Sequence, residues 1–148
     1  MEWFIETFEG MGPIHFGMTP EDIAVAVGPP DRSRRGLRSG SFSEHRGTRA
    51  PIVRYRDNKV REIEAFYDLG VVRFQGIYLF QTDGRQVLRQ LAALNGGAMV
   101  SVGTVLFDRL GLTTGRLDES ARTGHSVTAF SPGTWDNIIG GFEMISFE

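Results

Sequence analysis

The chain has 148 residues, of which 41% are apolar and 23% charged, a composition that suits one globular domain and excludes collagen-like or disordered classes. It contains no cysteine, which excludes disulfides, thiolate metal sites, thiol catalysis and a lipidated cysteine within these residues. The net charge of −2 divides into −6 over residues 1–31, +8 over 32–61 and −4 over 62–148, and Lys59 is the only base that is not arginine. No run approaches the eighteen or so apolar residues of a spanning helix. The opening "MEWFIETFEG" carries three Glu and no Lys or Arg, unlike a secretory signal, so the expected location is cytoplasmic.

In chain order, Trp3, Phe4, Ile5 and Phe8 predict that the first segment packs into the core. A short strand is expected around Ile14 and Phe16. Thr19 is suited to cap a helix, with Pro20 at its first position, where no amide is lost, and Asp22 three residues after the cap. Ile23, Ala24 and Val27 share a face, and Gly28-Pro29-Pro30 stop the helix after about nine residues. Residues 32–50, rich in Gly, Ser and Arg and without periodicity, read as a long mobile loop.

From Pro51 the alternation is strand-like. Ile52–Arg56 and Val60–Tyr67 form a hairpin through Asp57-Asn58, which tolerate left-handed turn geometry. Val71–Phe80 reads as one strand with Val72, Phe74, Tyr78 and Phe80 on a common face. Thr82 or Asp83 then caps a second helix with the stripe Val87, Leu88, Leu91 and Leu94, ended by Asn95-Gly96-Gly97. Met99–Phe107 and Leu112–Leu117 are strand-like around a turn at Gly111, and 118–125 is a polar loop. Val127–Phe130 and Phe142–Phe147 read as paired strands around "SPGTWDNIIGG".

The halves share an order of elements. Each has a strand, a capped helix, a glycine stop, then strands, so residues 12–80 and 81–148 read as half-repeats of a tandem unit. The expected fold is one α+β domain over 1–148, with an antiparallel sheet and two short helices on one face.

The stretch "IHFGMTPEDIAVAVGPP" resembles the helix-entry motif of small bacterial α+β modules of the SmpA/OmlA (BamE-like) and β-lactamase-inhibitor-protein-like type. Together with Leu110–Thr113 ("LGLT") and Val127–Asp136 ("VTAFSPGTWD"), it also resembles small bacterial proteins similar to the immunity proteins of polymorphic toxin systems. The chain departs from the lipoproteins in having no lipobox cysteine. The resemblance implies a fold used for protein binding and supplies no catalytic residue.

The residues themselves point away from catalysis. His15, His45 and His125 show no helical ligand spacing. Glu62 and Glu64 could frame a two-carboxylate hydrolysis, but alternation with Ile63 and Ala65 explains them as the outward face of a half-buried strand. No glycine pattern opens a helix onto a phosphate, and no serine sits in a nucleophile elbow. The strongest signal is the set Arg32, Arg34, Arg35, Arg38, Arg46 and Arg49. It suits a protein interface, where arginine is enriched at hot spots. Nucleic-acid binding by the segment 32–61 is the alternative, with a small-molecule or enzymatic role in a cleft between the halves as a third reading. The expectation is a non-enzymatic immunity protein without metal, cofactor or membrane contact, occluding a toxin domain through these arginines.

Overall fold

Capping chemistry accounts for both helices. In the structure, a computed structural model describing residues 2–136 and 139–147, α1 spans Pro20–Val27. Thr19 Oγ1 accepts from the Asp22 amide at 3.3 Å and Asp22 Oδ2 from the Thr19 amide at 3.1 Å, the reciprocal capping box. Gly28 takes a positive φ and donates to the Ala24 carbonyl, closing the last turn. Helix α2 spans Gly84–Asn95, and of the two candidate caps Asp83 is the one used, accepting from the Gln86 amide. Val87, Leu88 and Leu91 are buried, whereas Leu94 is about half exposed and falls outside the buried stripe.

Fourteen strands form two sheets among the described residues. The small sheet holds β1 (Glu2–Glu6), β2 (Gly10–Met11) and β3 (Ile14–His15), with β8 (Val71–Phe74) and β9 (Ile77–Tyr78), in the order β3-β2-β1-β8-β9. Its β1–β8 pair is parallel, and Trp3 and Ile5 are buried as expected for the N-terminal segment. The large sheet is antiparallel throughout. It contains β4 (Arg32–Arg35), β5 (Ser41–His45), β6 (Ile52–Arg56), β7 (Lys59–Phe66), β10 (Ala98–Ser101), β11 (Thr104–Phe107), β12 (Leu112–Gly115), β13 (Ser126–Phe130) and β14 (Glu143–Ile145). Their order is β14-β10-β11-β12-β13-β7-β6-β5-β4. Each helix is thus followed by a four-stranded meander, and the two meanders join along β7 and β13. Val53, Ile63, Ala129, Leu112 and Phe107 lie in one cross-strand row and are buried, so this face of the sheet looks into the core.

The Asp57-Asn58 hairpin forms as read, with both residues at positive φ. Four expectations are corrected. Residues 32–50 are no long loop, because β4 and β5 pair from Arg32–His45 to Arg35–Phe42. All of β4 is exposed at the sheet edge, so it carries no apolar alternation to reveal it. Val71–Phe80 is a hairpin turning at Gln75-Gly76, with Tyr78 exposed. Met99–Phe107 likewise folds back at Val102-Gly103. Finally, β13 and β14 do not pair with each other: β13 is held by β12 and β7, and β14 closes on β10. Asn137 and Ile138 of the "SPGTWDNIIGG" turn lie outside the described residues. No helix of the described residues is long and apolar enough to cross a membrane.

Candidate functional site

Strand register assembles the site. Alternation sends successive side chains to opposite faces of a sheet, so cross-strand rows share a face. Arg34 lies opposite Ser43, Ser43 opposite Arg54, Arg54 opposite Glu62, and Glu62 opposite Phe130. A second row on the same face holds Arg32 opposite His45, then Ile52, Glu64 and Thr128. This face is turned away from the core residues Val53 and Ile63. Its charged residues over β4–β7 are exposed or half-buried.

The charges there shape one another. Arg54 is ion-paired with Glu64. Ser43 Oγ lies 2.9 Å from His45 Nε2. Burial, then the nearby Arg32, Arg34 and Arg54, hold the His45 imidazole below its usual range, against a weaker opposite pull from Glu64. His45 is therefore neutral near pH 7 and adds no charge to the face. Burial pushes the Glu62 carboxyl up, helped by Glu64 and opposed by Arg54 and Arg61.

The register shifts between Arg54 and Tyr55: Arg54 faces Glu62 while Tyr55 faces Val60, leaving Arg61 as the extra residue of a β-bulge. A bulge breaks strict alternation, and both Arg61 and Glu62 line a cleft on this face of about 380 Å³. Its other walls are the β4–β5 turn, with Gly36, Leu37 and Arg38, and the turn after β13, with Thr134 and Trp135.

The six arginines singled out from the sequence meet different fates. Arg32, Arg34, Arg35 and Arg38 are exposed on the β4–β5 hairpin, and none is ion-paired among the described residues. Alternation places Arg32 and Arg34 on the outward face and Arg35 on the other. Arg49 bonds Asp31 at 2.7 Å and the Pro29 carbonyl, tying the basic segment to the acidic one. Arg46 is a correction. It is 1% exposed, and its guanidinium donates to the Gly28 carbonyl at 3.0 Å and to Glu44 at 3.3 Å. Tyr55 also donates to Glu44, which satisfies a carboxylate on the core face. Arg46 thus anchors the end of α1, where a cation is favoured, and has no surface to offer a partner.

Arg54, Arg56, Arg61 and Trp135 were not singled out from the sequence, yet they line the cleft. The alternation in "IVRYR" signals Arg54 and Arg56 as a pair flanking a buried tyrosine, but the bulge that re-aims Arg61 has no local signature. His125 is buried and bonded to the Glu119 carbonyl, and His15 is exposed on the small sheet. No cluster of three or more potential metal ligands occurs among the described residues. Comparison with models of known protein families, with curated proteins and with solved structures finds no match to this chain.

Proposed function

We propose that the chain is a non-enzymatic protein-binding protein, of the immunity-protein kind its motifs resemble, which occludes an acidic surface of a toxin domain. The observation that carries this reading is the β4–β5 hairpin. It exposes Arg32, Arg34, Arg35 and Arg38, with the fully exposed Leu37 between the last two at its turn. Guanidinium groups with no carboxylate partner among the described residues are available to a partner's carboxylates, and they steer association through long-range attraction. The same reading treats residues 12–80 and 81–148 as a duplicated unit. Support comes from the repeated order of helix and four-stranded meander. It also takes both helices to lie on one face of the large sheet, since Ile23, Val87, Leu88 and Leu91 join a single core cluster with Val53 and Ile63.

The test is a quantitative pull-down from the native host with the wild-type chain and an Arg34→Glu/Arg38→Glu variant of equal thermal stability. The expected result is one acidic protein retained at physiological salt by the wild type and lost by the variant. Recovery of no stable protein partner overturns the reading. Recovery of nucleic acid, with affinity falling steeply with salt, transfers the same arginines to the alternative function.

A further inference from the structure

The large sheet ends at β4, which pairs with β5 on one side and, among the described residues, with no strand on the other. Register decides which of its backbone groups are used. Continuing the β4–β5 ladder by one residue, Gly36 faces Ser41 and donates to its carbonyl at 2.8 Å, so that pair is a hydrogen-bonded one. Such pairs alternate along an antiparallel ladder, which makes Arg34–Ser43 and Arg32–His45 hydrogen-bonded as well. The amides and carbonyls of Ser33 and Arg35 therefore point away from β5. No other strand or loop backbone among the described residues bonds to them, and both residues are exposed. An open edge is commonly guarded by proline or by a bulge, and β4 has neither. Its guard is charge, three arginines in the sequence RSRR. Pairing with β4 of a second copy would set arginine opposite arginine, which is destabilising. The same charges attract carboxylates.

We propose that β4 takes an extended acidic segment of the protein partner as one more antiparallel strand of the large sheet. This rests on the hairpin being the partner surface, and it adds how the partner is held. Partner residues opposite Ser33 and Arg35 exchange backbone hydrogen bonds with them, while those opposite Arg32 and Arg34 lie on the outward face. Carboxylates at these two alternate positions meet guanidinium groups that have no ion-pair partner among the described residues. Main-chain bonds then supply affinity, and the alternate side chains supply specificity. Opposite charges directly across a strand pair add to both. Nothing acidic on the outward face competes at close range. Glu62 and Glu64 are on β7, three strands in from β4, and Glu64 is held by Arg54.

The probes are short synthetic peptides, one alternating glutamate with threonine and one alternating lysine with threonine, titrated into the full chain by calorimetry. Saturable binding of the glutamate peptide and none of the lysine peptide is expected. Two further glutamate peptides carry N-methyl groups, one on its threonine amides and the other on its glutamate amides. Each keeps its charge and loses the donors of one strand edge. With carboxylates over Arg32 and Arg34, the threonine amides face β4, so only the first should weaken, by about tenfold or more. Ser33→Pro removes an outward amide and leaves the β4–β5 ladder and every arginine in place, since an edge strand tolerates proline where the N–H faces solvent. It should weaken the parent peptide by about tenfold. The methylated pair is measured on the wild-type chain and so decides even if Ser33→Pro fails to fold. Flat titrations, equal binding of the lysine peptide, or equal behaviour of the two methylated peptides would each overturn the proposal. In the pull-down, a partner kept by Ser33→Pro and lost by Arg34→Glu/Arg38→Glu removes the added strand and leaves the protein-binding reading standing. No partner at all, with the glutamate peptide still bound, removes that reading and keeps the edge as a strand acceptor.

Discussion

The two meanders of the large sheet share an order of strands and differ in what their outward faces do. Over β4–β7 that face carries Arg32, Arg34, Ser43, His45, Arg54, Glu62 and Glu64, all exposed or half-buried. Over β11–β13 it carries Leu106, Thr113, Thr128 and Phe130, all buried. The chain continues past β13 to lay Trp135 against Phe130, and β14 adds itself to the edge at β10. One half therefore buries its second face and the other leaves it open to solvent. The same scaffold permits both, because a strand's core-facing residues do not constrain the identity of the alternate ones.

The largest test of that contrast is a pair of substitutions. Phe130→Ala removes a ring packed edge-on against both Phe8 and Trp135, and should cost about 3–5 kcal/mol in urea unfolding. Arg34→Ala on the open face should change stability by no more than about 0.5 kcal/mol. Comparable losses for the two would erase the distinction between a structural and a free face.

A smaller effect separates the open face from an ordinary solvated one. A carboxyl whose folded-state affinity for protons is raised destabilises the folded chain once pH exceeds its unfolded value, near 4.3. Glu62→Gln should therefore be more stable than wild type at neutral pH, with the advantage closing as pH falls from the raised folded value to the unfolded one. Parallel pH profiles of melting temperature for the two proteins would show that Glu62 is solvated instead. The smallest effect concerns His45, whose folded affinity for protons is lowered. Its contribution is present above the unfolded value of about 6.5 and is lost as pH drops through the folded one. His45→Asn should flatten the stability profile between about pH 5 and 7. A wild-type profile already flat in that window would remove the proposed crowding of His45 by the arginines.

Where the sequence was informative, its signals were local. The Thr19–Asp22 capping box and the Asp57-Asn58 turn each depend on residues within one turn of chain, and both form as read. The acidic and basic blocks were also legible, and Arg49–Asp31 joins them. The burial of Arg46 was not. Arg34 and Arg46 sit in the same basic, glycine-rich stretch, yet one is exposed at a sheet edge and the other is buried against the carbonyl that ends α1. The difference comes from Glu44 and Gly28, one brought to the core face by strand pairing and the other by helix packing.

The amino-acid sequence by itself determined where the two helices begin and stop, the alternation of the Ile52–Arg56 hairpin strand, and the absence of any cysteine chemistry. Those properties rest on side-chain and backbone interactions a few residues apart. Tertiary structure alone decided that a strand without apolar residues would form at the edge, that β14 would close on β10 instead of β13, and that a bulge would place both Arg61 and Glu62 on the cleft. These depend on partners elsewhere in the chain, 7 to 13 residues away between β4 and β5 and 43 to 47 between β10 and β14. Their pairing is set by which register buries the most apolar surface, a property of the whole sheet rather than of any single segment.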